Sequence, residues 1–135
     1  MLATTIEMSA RLLHCGVPAN TADMCYDSGA LSLMDYDSAL HERDSRRETY
    51  EIIPAWSLNR LLELLPKEID DECGDSYFFS LAKEFPLSQE YSAAYIPCWD
   101  KGDAVVRKHD NCPIEACVQL IEWFKENNYK LNKQQ

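Results

Sequence analysis

Glycine is scarce, with four residues in a chain of 135, and these lie too far apart to build a phosphate-cradling loop. Basic residues are also few. Thirteen Lys and Arg stand against 23 Asp and Glu, a formal net charge of −10, so the basic stripe that a nucleic-acid backbone requires is missing. Direct phosphate binding is therefore excluded, whereas a basic protein surface is a permitted partner. No apolar run approaches the length needed to span a bilayer, and no membrane association is expected. The six cysteines (15, 25, 73, 98, 112 and 117) include no C-x-x-C pair. They leave two readings, an extracellular disulfide framework or thiols in a reducing compartment. Residues 1–15 carry Glu7 and Arg11 and lack the apolar segment of a secretory signal. The expectation is a cytoplasmic protein with reduced cysteines.

What is present is ordinary for a folded globule, with 46% hydrophobic and 27% charged residues. The length suits one domain over 1–135. Its parts are a helical N-terminal segment at 4–24, a poorly patterned connector at 25–49, and an α-β-β-β-α core at 54–129. The clearest signal is the run from Pro113. There Cys117, Leu120, Ile121 and Phe124 recur at i, i+3, i+4 and i+7, while Glu115, Gln119 and Glu122 fall mostly on the opposite, watered side. Pro113 suits a first helical position, Asn111 is the chemically better cap than Cys112, and Asn127-Asn128 ends the run. Ser57 opens a second helix whose Leu58, Leu61, Leu62 and Leu65 repeat the pattern, and Pro66 stops it. Near the start, Thr4 and Glu7 fit a capping box, with Ile6, Ala10 and Leu13 on one face, Leu12 beside them and Gly16 as terminator.

Three extended segments follow the second helix. Residues 77–82, 91–96 and 104–108 alternate or are rich in aromatic and β-branched side chains, and the last two are separated by a turn at Asp100-Lys101-Gly102-Asp103. Short links between them predict an antiparallel meander. The fold class expected is α+β, an antiparallel sheet of three to four strands with helices packed on one face. Leu31–Met34 and Tyr50–Ile53 read as further short strands, the second closed by Pro54. His41 to Glu48 reads as a mixed-charge connector, and Glu68 to Asp75 as an exposed acidic loop.

The search for chemistry assigns no catalytic, cofactor-binding or metal-ligating residue. Cys112 at a helix start, three residues from His109, is the best thiol candidate, because a helix N-terminus lowers thiol pKa. As a small apolar residue before Pro113 it needs no such role. His14-Cys15 could be half of a zinc site, but ligands at the spacing such a site needs are missing. His14 reads instead as a helix-terminal residue serving free carbonyls, His41 as solvated, and Cys117 as core. The acidic stretch 68–75 lacks the liganding spacing of an EF-hand. Trp56 and Trp123 are expected in the core and Trp99 in an exposed turn.

Gly16-Val17-Pro18-Ala19-Asn20-Thr21-Ala22-Asp23-Met24, Pro54-Ala55-Trp56-Ser57-Leu58 with Leu61-Leu62, and Pro113-Ile114-Glu115-Ala116 through Trp123 occur here in that order. Together they resemble small uncharacterised proteins carried by phages and prophages of gut bacteria. The resemblance implies mobile-element context and no mechanism. The element order from Ser57 to Asn127 is similar to double-stranded-RNA-binding domains, and its strand-then-helix half looks like the HicB-type antitoxin fold. The RNA likeness fails on charge, since the last helix offers only Lys125 near its end. The function expected is a non-enzymatic accessory protein that binds another protein. The alternatives are an acidic nucleic-acid mimic or antitoxin-like inhibitor, and a small hydrolase with an unrecognised site.

Overall fold

A computed structural model describes residues 1–84, 89–98 and 103–133. Four strands form an antiparallel meander: β4 (Glu68–Asp70), β5 (Ser76–Lys83), β6 (Tyr91–Pro97) and β7 (Val106–Asp110), in the order β4-β5-β6-β7. Strand alternation sends every second side chain to one face. Phe79, Tyr95 and Val106 stand opposite one another in register, and all three join the main apolar core. α4 (Pro113–Glu126) lies over β6 and β7 on that face. Tyr95 is fully buried between Phe79 and Phe124, with ring centroids 5.6 and 5.4 Å away, and its hydroxyl donates to the Pro66 carbonyl at 2.6 Å. Burying Leu120, Ile121 and Phe124 is worth about 1.5–3 kcal/mol each as an upper bound. The α+β class holds, with helices on one face of a four-stranded sheet.

α4 is more enclosed than its stripe suggested. α1 (Ile6–His14) and α3 (Leu58–Leu64) pack against it, so Ile114, Ala116 and Val118 are buried as well. Glu115 and Glu122, expected on the watered side, are instead gripped by the guanidinium of Arg11 from α1. The hydrogen bonds to Glu122 and then Glu115 hold Arg11 firmly protonated.

The face of α1 also differs from the expected one. Ile6, Ala10 and Leu13 are exposed, and the buried positions are Ser9 and Leu12. A polar residue can sit on the buried face because the Ser9 and Thr4 hydroxyls bond each other at 2.8 Å. Thr4 is therefore not the cap. Thr5 accepts the Met8 N–H, while the Thr4 hydroxyl accepts the Trp56 N–H at 3.1 Å. At the start of α4 the cap position is Cys112 rather than Asn111, and the Asp110 carboxylate accepts the Cys112 N–H.

Residues 24–55 hold a second sheet and a helix where a connector at 25–49 was expected, and the short strands expected at 31–34 and 50–53 overlap two of the sheet's three strands. Its order is β2-β1-β3, from β1 (Met24–Asp27), β2 (Ala30–Ser32) and β3 (Ile52–Ala55). The charged run of 41–48 belongs mostly to α2 (Tyr36–Ser45), capped by Asp35 and packed through Ala39 on Cys25 and Ile52. Pro54 lies inside β3 opposite Cys25 instead of closing it. β3 is an edge strand, where a missing N–H is tolerated. Leu33 and Met34 fall beyond β2 and are exposed. The first part of the acidic stretch is strand β4, which buries Ile69 beside Tyr77, so the core reads α-β-β-β-β-α. Trp99 and all but the last residue of the turn expected at 100–103 lie outside the described residues. No helix among the described residues is long and apolar enough to cross a membrane.

Candidate functional site: two clefts of opposite charge

The candidate site is built by how two helices end. α1 and α4 both finish in a left-handed residue, Gly16 at φ 90° and Asn128 at φ 60°. The next residue in each case turns its N–H back onto the helix: Val17 to Leu12 at 3.1 Å, and Tyr129 to Phe124 at 2.9 Å. Tyr129 is thereby laid against α4, stacked on Trp123 at 5.1 Å and 17°, with Phe124 at 5.6 Å. The chain then runs to α3. Asn132 donates its N–H to the Leu64 carbonyl at 2.8 Å, and its amide to the carbonyls of Glu63 and Leu65 at 3.0 and 3.3 Å. The last carbonyls of a helix have no partner within it, and here a residue from the far end of the chain serves them.

Tyr129 forms a wall common to two clefts. The first, of about 560 Å³, lies between the end of α1, the end of α3 and the segment 129–133. Val17, Leu64, Ile121 and Phe124 make its floor, and Lys125, Lys130 and Lys133 its rim; Cys15 stands at its edge. No Asp or Glu lines it among the described residues. Lys125 donates to the His14 carbonyl at 2.6 Å, so the cation serving the end of α1 is Lys125 and not His14. Burial, and secondly the charge of Glu122, push the Cys15 thiol up.

The second cleft, of about 600 Å³, carries the opposite sign. Asp70, Asp71 and Glu72 face Trp123 and Tyr129 across it, with Cys73 alongside. Asp71 shapes this wall: it accepts the N–H groups of Cys73 and Asp75 at 2.9 and 2.8 Å, and the Tyr77 hydroxyl at 3.1 Å. The Tyr129 phenol is pushed up, first by desolvation and then by Asp71, Glu72 and Asp70. Its hydroxyl therefore lies within the field of that wall.

The remaining candidates disperse. Cys112 Sγ lies 3.5 Å from Met1 Sδ, whereas His109 faces Glu90 at 3.9 Å from the neighbouring loop, so the thiol and imidazole are not brought together. Cys117 is buried and its thiol is pushed up to about 12 by desolvation. Trp56 is fully buried, its indole N–H on the Thr21 hydroxyl at 3.0 Å; Trp123 is only half-buried and lines the acidic cleft. His41 is exposed on α2. The Ser57 hydroxyl is taken by the Asp23 carboxylate and by the Arg60 N–H, as a cap. Among the described residues no three His, Cys, Asp or Glu side chains are placed to hold a metal ion. Sequence reasoning passed over Tyr129, Lys130, Asn132 and Lys133. An apolar residue directly after Asn127-Asn128 was the available signal, since such a residue commonly folds back on the helix it follows.

No protein-family model, curated protein or solved structure matches this chain.

Proposed function

We propose that this protein works without catalysis, as an accessory protein that holds a basic segment of another protein in the acidic cleft. The observation that carries the reading is the pairing of Asp70, Asp71 and Glu72 with the stacked rings of Trp123 and Tyr129 across one concavity. An arginine or lysine side chain meets both requirements at once, its charge on the carboxylates and its stem on the rings. The mobile-element context rests on the three sequence segments alone. Two of them pack together, since Trp56, Ser57 and Arg60 bond Thr21 and Asp23. The six free cysteines support a reducing, cytoplasmic setting.

A nucleic-acid mimic needs acids arrayed over one surface. Arginines lie within ion-pair distance of Glu42, Asp44, Glu63, Glu84, Glu115 and Glu122, which weighs against that alternative.

An octapeptide containing two arginines, titrated against the full chain, tests the proposal. It should bind with an affinity that falls as salt shortens the screening length from about 30 Å to about 3 Å. It should also slow alkylation of Cys73, and Asp70→Asn with Glu72→Gln should weaken binding about tenfold. Binding that ignores these substitutions would sink the proposal, as would a turnover abolished by Cys112→Ser.

A further inference from the structure

The cleft beyond Tyr129 offers a different chemistry from the acidic one. In a chain with 23 acidic and 13 basic residues, a concavity rimmed by Lys125, Lys130 and Lys133 and lined by no described carboxylate is a local inversion of charge. Helix ends explain only one of those lysines. Lys125 sits in the last turn of α4 and donates to the His14 carbonyl. Lys130 and Lys133 lie past the helix, in a segment whose attachment to α3 is made by Asn132. Apolar side chains line the cleft beneath that rim, Val17, Leu64, Ile121, Phe124 and Leu131 among them. A ligand that satisfies floor and rim together carries a hydrocarbon chain and one anionic head. No arginine lines the cleft among the described residues, so the head is met by compact ammonium point charges, which take a carboxylate without a fixed fork.

We propose that this cleft binds a free amphipathic carboxylate with a single hydrocarbon chain, its alkyl part on the floor between α3 and α4 and its head among Lys125, Lys130 and Lys133. The volume of about 560 Å³ is within the range of small-molecule sites.

Decanoate is the probe, titrated calorimetrically against the full chain below its micelle-forming concentration. Saturation at one site is expected, with affinity rising about fifteenfold from octanoate to decanoate, since each buried methylene is worth about fourfold. Decanol should bind at least about tenfold more weakly than decanoate. Lys130→Gln with Lys133→Gln should remove that preference and leave decanol unchanged. Both side chains are exposed, and a retained urea midpoint would show that the variant folds. Should the variant not fold, labelling of the unaltered chain decides. Decanoate should slow alkylation of Cys15 while leaving Cys73, in the other cleft, at its own rate. Equal affinity for decanoate and decanol, no saturable binding, or protection of Cys73 in place of Cys15 would each overturn the proposal. The arginine peptide protects Cys73 if the acidic-cleft reading holds, so the two proposals stand or fall separately.

Discussion

The two clefts share Tyr129 and are nearly equal in volume, about 560 and 600 Å³, yet one presents three lysines and the other three carboxylates. The difference lies in what each is made from. The acidic wall is local: Asp70, Asp71 and Glu72 are neighbours in sequence, held by a turn in which the Asp71 side chain bonds backbone N–H groups of Cys73 and Asp75. The basic cleft is assembled from the end of α1, the end of α3 and the segment after α4. A local wall keeps its shape when the chain changes elsewhere, although the cleft in front of it still needs Trp123 and Tyr129. An assembled cleft depends on each attachment that brings its parts together.

Tyr129→Ala should do the most damage, because it removes the wall common to both. A half-buried aromatic stacked on Trp123 should cost about 2–3 kcal/mol, somewhat below the figure for a fully buried ring. Urea denaturation should show this, with ligand protection lost at both Cys15 and Cys73. Loss at only one of them would mean that the clefts are not joined through this side chain. Asn132→Ala separates them. Deleting the amide leaves the Glu63 and Leu65 carbonyls to water, at about 1 kcal/mol. Decanoate binding should weaken, and peptide binding at the acidic wall should stay as it was.

The smallest effect is a titration. The phenol of Tyr129, held above its ordinary value by desolvation and by the acidic wall, should ionise later than a free tyrosine of pKa about 10. The sign follows from a folded pKa raised above the unfolded one. The contribution to stability is present in full below pH about 10 and is lost as pH rises through the folded value. The ultraviolet difference between the parent chain and Tyr129→Phe isolates this group, and Asp70→Asn with Glu72→Gln should move it back toward pH 10. An unmoved titration would place those carboxylates too far away to matter.

α3 was legible because three independent local signals agreed: the Ser57 cap, the leucine stripe and the Pro66 stop. α4 was legible from its stripe, from Pro113 at its first position and from the Asn127-Asn128 stop, although its cap is Cys112 and not Asn111, and the meander followed from alternating segments with short links. α1 was half legible. Its end at Gly16 is correct, but its buried face was misread, because Ser9 is made compatible with burial by a hydroxyl that arrives from Thr4. α2 gave no stripe to find, since it buries little beyond Ala39. β4 was hidden inside an acidic run because one buried residue, Ile69, carries the whole packing signal. Of the clefts, the acidic wall could be read as a stretch of carboxylates, but nothing in that stretch said that Trp123 and Tyr129 would face it.

By itself, the amino-acid sequence determined α3, α4 and most of the meander, because capping, periodicity and termination act over a few neighbouring residues. Only the tertiary structure decided that an acidic chain would present a lysine-rimmed hollow, and that one tyrosine would divide it from a carboxylate wall. The sign of charge at a surface is a sum over side chains distant in sequence. No window along the chain contains Cys15, Leu64 and Lys130 together.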